Sequence, residues 1–250
     1  MIDVLLATRA THRAAPPLSQ DKPLSLEEAY NLQDALRDAL VKKGERILGW
    51  KAGFTGRGAQ QAFGVDHPVC GFLLASGVFA TGEQVPLSRF AQLAVEVETA
   101  FVMKKDLAGP GVAPAAAVLA VEGAVPALEL VDTRFTGKPM AADLVADGVF
   151  ANAIVLGQPL TSVTGLDLAL EGVVYEQNGQ VMATNTAAEV LGNPLNSLAW
   201  VANHLGSRGL GLRAGDVVMT GSISTVLRPK AGGVVSARFT RLGSVSVRFA

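Results

Sequence analysis

The chain has 250 residues, of which 49% are hydrophobic and only 17% charged, and this excludes a disordered or solvating polypeptide. Its 21 basic and 22 acidic residues leave a net charge of −1, which argues against an electrostatic nucleic-acid footprint. The one cysteine, Cys70, rules out an intramolecular disulfide and a multi-thiolate zinc site.

The opening segment, MIDVLLATRATHRAAPPLS, has a short apolar start with no basic segment before it, unlike a secretory signal, so a cytoplasmic location is expected. The proline-containing stretch over 14–23 reads as a joint. Ser25 and Glu28 then form an S-x-x-E capping box, in which each side chain satisfies an orphan backbone donor. Leu26, Ala29, Leu32, Leu36 and Leu40 recur at helical spacing up to a stop at Gly44. Next, LGWKAGFTG sets Lys51 inside an apolar, glycine-bounded run. A short helix is predicted over 57–63, closed by Gly64. Asp66-His67-Pro68 reads as a turn, and Cys70 as a small packed residue rather than a nucleophile.

From about Leu93 the period changes to two. In AVEVETAFVM, Val95, Val97, Thr99, Phe101 and Met103 share one side of a strand, and Glu96 and Glu98 share the other. The most apolar stretch, 111–131, is interrupted by Pro114, Glu122, Pro126 and Glu129, so it lacks the ~20 nearly uncharged residues of a membrane span. A strand is predicted over 127–131. Strand-like runs follow Gly157, with Asn178-Gly179 as a two-residue hairpin signal. Asn193 and Pro194 start a late helix as N-cap and first helical residue. Its inward side is Leu195, Leu198, Val201, Ala202 and Leu205, and Gly206 or Gly209 ends it. The tail (DVVMTGS, VVSARFT, SVSVRFA) is β again. Helices first and then mostly strands indicate an α+β fold. No G-x-G-x-x-G or G-x-x-x-x-G-K phosphate loop and no G-x-S-x-G nucleophile elbow is present.

The chemistry concentrates in carboxylates. Glu96 and Glu98 point to the same face, and Glu129 lies in PALELV with Leu128 and Leu130 on the opposite face. Three strand carboxylates in apolar surroundings repel one another unless a cation neutralises them, and all-oxygen donors suit Mg²⁺ or Mn²⁺. Two other readings stand beside this: the wet face of a half-buried sheet, and metal-free general acid/base work. Lys51 likewise reads either as a cation for a substrate carboxylate or enolate, or as a lysine whose stem lies on apolar surface with its head in water.

Taken in order, LGWKAGFTGRGAQQAFGVDHPVCGFL, VEVETAFVM, PALELVDTRF, LVADG, EVLGNPLNSLAWVANHL, LRAGDVVMTGSIS and LGSVSVRF resemble the 2-keto-4-pentenoate hydratase group of the fumarylacetoacetate-hydrolase-like superfamily, over 25–250. The resemblance implies a mixed β-roll or sandwich with an N-terminal helical portion. That makes one catalytic domain over 1–250, helical over 1–90 and β-rich and metal-binding over 91–250. It carries the ligands of a divalent metal, Mg²⁺ or Mn²⁺, onto Glu96, Glu98 and Glu129, the lysine of G-x-K-x-G-x-T onto Lys51, and the acid of G-V-D-x-P onto Asp66.

The chemistry so implied is hydration of 2-hydroxypenta-2,4-dienoate, a product of meta-cleavage of aromatic rings, to 4-hydroxy-2-oxopentanoate. Asp66 is the candidate proton shuttle, with Lys51 as the alternative. Thr55, Ser222 and Ser224 are candidate hydrogen-bond donors to a small 2-oxo or 2-hydroxy dienoic acid. A homo-oligomer is expected, and association with a related decarboxylase or a downstream aldolase, but no nucleic-acid or membrane partner. The chain departs from the family's A-D-N-A-S at Ala146-Asp147-Gly148-Val149-Phe150, and from its T-S at Thr55-Gly56, which implies a drier pocket.

Three rival readings remain. One is 4-oxalocrotonate decarboxylase, against which Pro194-Leu195-Asn196 with Trp200 looks more like the hydratase side. Another is an acylpyruvate-type C–C hydrolase, which needs a base such as a His–Glu pair. The last is a catalytically silent partner subunit, against which the retained Glu96, Glu98, Glu129 and Lys51 argue.

Overall fold

Local signals set the helices. In a computed structural model describing residues 1–250, the Glu28 carboxylate accepts from the Ser25 N–H at 2.9 Å and Ser25 Oγ accepts from the Glu28 N–H at 3.2 Å. This closes the predicted capping box. It opens α2 (Leu26–Lys42), which follows α1 (Ile2–Thr11) and buries Ala29, Tyr30, Gln33 and Leu36. After β1 (Ile47–Gly53), α3 (Arg57–Phe63) ends at a left-handed Gly64. Then come β2 (Val69–Leu74), β3 (Val78–Ala80), β4 (Gln84–Val85), β5 (Leu93–Met103), α4 (Pro114–Leu119), β6 (Val121–Asp132), α5 (Ala141–Ala146) and β7 (Ala153–Leu156). The hairpin of β8 (Gly172–Gln177) and β9 (Gln180–Thr186) turns at Asn178 and Gly179, both with positive φ, as a type I′ turn requires. In α6 (Pro194–Ser207), Asn193 Oδ1 accepts from the Leu195 N–H at 2.9 Å, and Leu198, Val201, Ala202 and Leu205 are buried. The chain closes with β10 (Val217–Met219), β11 (Val234–Phe239) and β12 (Ser244–Phe249).

The strands form two sheets, in the order β2-β1-β10-β5-β6-β7-β3 and β4-β12-β11-β8-β9. Pairing is mixed: β1–β10, β3–β7 and β4–β12 are parallel and the rest antiparallel. The smaller sheet packs through β11 and β12 onto β6 and β7. Outside the sheets, α2 lies against α1 and α5, and α6 against α4 and β1. This is the α+β, two-sheet architecture expected. No helix is long and apolar enough to cross a membrane.

The expectation that 1–90 is a helical portion needs correction, since β1 to β4 lie within it and three of them, β1, β3 and β4, pair directly with strands of the later chain. β1 sits beside β10 inside the seven-stranded sheet, and β4 extends the five-stranded one. The physical reason is that β1 is covered on both faces, with Trp50, Lys51 and Ala52 all buried, so its sequence lacks the two-residue alternation that marks a half-buried strand.

Candidate active site

β5 and β6 run antiparallel in a register that sets Glu96 opposite Glu129 and Glu98 opposite Ala127. Facing like charges destabilise a sheet, yet one oxygen of each of Glu96, Glu98 and Glu129 lies within 4.8 Å of the other two. Glu98 and Glu129 are completely buried, while Glu96 is half-buried at the edge of an open cavity. One oxygen of each buried acid is engaged: Glu98 Oε2 accepts from the Gly221 N–H at 2.7 Å, and Glu129 Oε2 accepts from Lys51 Nζ at 2.6 Å. The other oxygens, Glu98 Oε1 and Glu129 Oε1, have no hydrogen-bond partner. Buried polar atoms are nearly always satisfied, so two orphaned carboxylate oxygens mark a place for a cation. The donor set is all oxygen, which suits a hard divalent ion such as Mg²⁺, Mn²⁺ or Ca²⁺.

The titration behaviour follows from the same crowding. Burial, with Glu129 close by, raises the Glu96 carboxyl to about 7 although Lys51 pulls it down. Burial and the neighbouring Glu129 push Glu98 well above the ordinary range. For Lys51 burial opposes the charged form, but Glu129, Glu96 and Glu98 together outweigh it and the ammonium is held more firmly than usual.

Lys51 is 2% exposed, so its head is not in water. It lies on β1, three places from β6 in the sheet order, or ~14 Å across a flat sheet. The seven-stranded sheet therefore curls into a roll for the two side chains to meet. Lys51 Nζ also donates to the Val149 carbonyl at 3.2 Å. That carbonyl belongs to a turn with three successive left-handed residues, Gly148 (φ 74°), Val149 (φ 56°) and Phe150 (φ 60°). A β-branched residue there is strained, and the surroundings hold it. Arg134 binds both oxygens of Asp147 at 3.1 and 2.9 Å and donates to the Ala151 carbonyl at 2.9 Å. Arg9, reaching across from α1, donates to the Asp147 and Ala151 carbonyls at 2.5 and 3.3 Å. Gly71 lets the turn lie against β2, because a Cβ there would sit 2.4 Å from the Gly148 carbonyl oxygen.

The cavity beside the acids is about 790 Å³. Of the expected site residues, Lys51, Glu96, Thr55, Ser222 and Ser224 line it, and Glu98 and Glu129 lie beneath. Thr55 is buried against Gly221 (φ 113°), where a Cβ would meet Thr55 Oγ1 at 2.1 Å. Ser222 Oγ donates to the Ser224 carbonyl and Ser224 Oγ to Asn185 Oδ1, each at 2.9 Å. Both serine protons are thus already used, and these hydroxyls face the cavity as acceptors.

Asp66 is not brought to this group. It sits in the turn after α3 with its side chain 98% exposed, 3.9 Å from His67. The physical reason is that α3 ends at Gly64 and the turn faces solvent. No histidine lines the cavity. Sequence reading did not find Arg9, Arg134 or the Phe54–Phe63 pair, whose rings stack with centroids 4.6 Å apart. Of these only Arg134 carried a signal, standing beside Phe135 two positions after an aspartate.

Comparison with known proteins places this geometry. The fumarylacetoacetate (FAA) hydrolase C-terminal family matches residues 51–250. A 2-keto-4-pentenoate hydratase of Burkholderia vietnamiensis is 37% identical over 88% of this chain and 85% of its own. A 2-hydroxypent-2,4-dienoate hydratase of Pseudomonas putida is 38% identical over 78% of this chain and 89% of its own. Among solved structures, a 4-oxalocrotonate decarboxylase from Pseudomonas putida G7, complexed with magnesium and adipate, superposes with a TM-score of 0.96 at 31% identity, covering 100% of this chain and 95% of that one. The chain belongs to the fumarylacetoacetate hydrolase family, in its 2-keto-4-pentenoate hydratase group.

Proposed function

We propose that this chain is a lyase, a divalent-metal-dependent hydratase that adds water to 2-hydroxypenta-2,4-dienoate to give 4-hydroxy-2-oxopentanoate in meta-cleavage degradation of aromatic compounds. The observation that carries this is the pair of orphaned oxygens on Glu98 and Glu129 beside Lys51, at the floor of a cavity. The hydratases among its relatives support it, as does the magnesium of the decarboxylase with the same fold. Glu96, Glu98 and Glu129 would hold Mg²⁺ or Mn²⁺, which supplies Lewis acidity to the substrate's carboxylate and 2-oxygen when bound.

The chain's own residues do the rest. Lys51, pinned between Glu129 and Val149, keeps a positive charge beside the 2-oxygen as negative charge develops there. Because Asp66 stands in solvent, Lys51 is the remaining proton shuttle: its ammonium gives a proton to the carbon chain and takes the dienol proton in its place, so that its charge is restored. Thr55 borders the same end, and Ser222 and Ser224 offer acceptor oxygens that orient the incoming water. The chain acts as one catalytic unit over 1–250, in the cytoplasm, as a homo-oligomer.

The test is turnover of 2-hydroxypenta-2,4-dienoate with Mg²⁺, followed by loss of the diene absorbance and identification of the product. EDTA abolishes activity if the reading holds. A second reading, 4-oxalocrotonate decarboxylase, is favoured by the whole-chain superposition on such an enzyme. Release of CO₂ from 2-oxohex-3-enedioate without hydration of the dienoate would select it.

A further inference from the structure

Ser222 and Ser224 can accept a hydrogen bond from an incoming water, but their own protons are used, so they cannot give it one. The missing donor stands next to them. After β10 the chain runs back along β5: the Gly221 N–H donates to Glu98 Oε2 at 2.7 Å, the Ile223 N–H to the Val97 carbonyl at 2.9 Å and the Leu227 N–H to the Val95 carbonyl at 3.0 Å. Ile223 is 1% exposed and belongs to the same core as Val97. Ser222 and Ser224, on either side of Ile223, therefore turn the other way, as Glu96 and Glu98 do about Val97. The serines stand one strand spacing, ~4.8 Å, from the ridge that carries the acids. The direction of the chain sets Ser222 toward Glu98 and Ser224 toward Glu96, at the edge of the cavity.

Asn185 meets Ser224 from the other sheet. It lies on β9, half-buried, and lines the same cavity. Ser224 Oγ donates to Asn185 Oδ1 at 2.9 Å. With Oδ1 taken, Asn185 is left with its Nδ2 group and two protons, and Ser224 is left with lone pairs. An apolar group placed here would leave both unpaired, and a carboxylate would meet the serine oxygen as a second acceptor. Water satisfies both, accepting from Nδ2 and donating to Oγ.

We infer that Asn185, together with Ser224, holds the water that adds to C4 of the substrate. This rests on the hydratase reading and gives the water a residue that the reading does not name. The dienol first becomes the conjugated 2-oxopent-3-enoate. The water oxygen then bonds to C4 as the C3=C4 electron pair shifts through C2 to the 2-oxygen beside Lys51. The water sheds one proton to the solvent of the open cavity, and C3 takes one up as the carbonyl re-forms, so the step consumes water alone. A water held on one wall adds to one face of C4, and the 4-hydroxy-2-oxopentanoate formed is a single enantiomer.

Asn185→Ala and Asn185→Asp, made in the full chain and loaded with Mg²⁺, test this. The aspartate keeps an oxygen for the Ser224 hydroxyl and lacks the donor, so it separates the donor from the tie between β9 and the serine segment. NMR follows 2-hydroxypenta-2,4-dienoate, 2-oxopent-3-enoate and the 4-hydroxy acid together. In both variants 2-oxopent-3-enoate is expected to accumulate, and the ratio of hydration to ketonisation to fall on the order of tenfold or more. Chiral analysis of the wild-type product is expected to show one enantiomer. Hydration restored by the aspartate overturns the inference, since the tie alone would then be at work. So does an equal fall of both steps without accumulation of the enone, an unchanged ratio in the alanine variant, or a racemic wild-type product. Failure of the hydratase reading is seen in the wild type instead: no 4-hydroxy acid forms from the dienoate, and the water-holding role falls with it.

Discussion

Two buried clusters of charge lie a few residues apart along β6 and its continuation, and they are built on opposite terms. The first sets Glu96, Glu98 and Glu129 against a single Lys51 and leaves two carboxylate oxygens without a partner. The second sets Asp132 and Asp147 against Arg134 and Arg9. There the acid oxygens are all engaged: Asp132 also accepts from the Gln92 N–H at 2.8 Å and from Asn152 Nδ2 at 3.3 Å, and the one atom without a hydrogen bond is Arg9 Nε. A buried charge is costly unless paired. The balanced cluster meets that condition with protein atoms alone and holds a strained turn. The unbalanced cluster meets it by holding protons on its raised carboxyls or by taking up an added cation. Imbalance of charge, rather than burial of charge, separates the candidate site from the scaffold.

The comparison can be broken most sharply at Glu98. Glu98→Gln is expected to cut metal-dependent turnover on the order of a thousandfold or more while the melting temperature stays within a few degrees of wild type. Full activity in that variant would remove Glu98 from the ligand set. The balanced cluster is expected to behave in the opposite way. Arg134→Met leaves two buried aspartates short of their cation and costs about 3–5 kcal/mol, a fall of roughly 10 °C in a thermal melt. An unchanged melt would mean that the network does not hold the turn.

A third measurement sharpens the contrast. Mg²⁺ at about 100 times its Kd is expected to stabilise the wild type by ~2.7 kcal/mol, and the Arg134→Met variant by a comparable amount. Glu98→Gln is expected to gain little. The smallest effect is expected at a half-buried group in neither cluster. His204 lies between Trp200 and Tyr30, with ring centroids 5.0 and 4.6 Å away, and burial, then Arg208, lowers its pKa from 6.5 to about 4. A lowered folded-state pKa for a histidine means stability is complete above its unfolded value and is lost as pH falls from about 6.5 toward 4. His204→Phe, which keeps the ring, is expected to flatten that part of the acid limb in melts recorded across pH 4–7.

Much of this was legible in the chain because the signals are local. A period of two in AVEVETAFVM placed Glu96 and Glu98 on one face, Ser25 and Glu28 opened a helix, and Asn178-Gly179 turned a hairpin. The fold class and the convergence of Glu129 with the other two acids followed from the family resemblance and the strand pattern. What was not legible depends on groups far apart in sequence. Arg9 and Asp147 carry no mutual signal at 138 residues' separation. The left-handed turn at Val149 and Phe150 contradicts local preference and exists because Arg134, Arg9 and Gly71 hold it. Asp66 shows the converse: a motif match gave a residue type, but the direction it faces was set by where α3 stops.

The reach of Arg9 has a consequence for how the chain is made. α1 buries only Leu5 and Thr8, so it has little core of its own to hold it. Its hydrogen-bond partners at Asp147 and Ala151 come 138 and 142 residues later. During synthesis this helix can meet α2 soon after it emerges, but Arg9 has no partner at Asp147 or Ala151 until more than half of these 250 residues have followed. The turn that presents Val149 to Lys51 is therefore fastened in full only when a helix made 138 residues earlier closes on it. The site sets late, and its timing is governed by a helix made long before it.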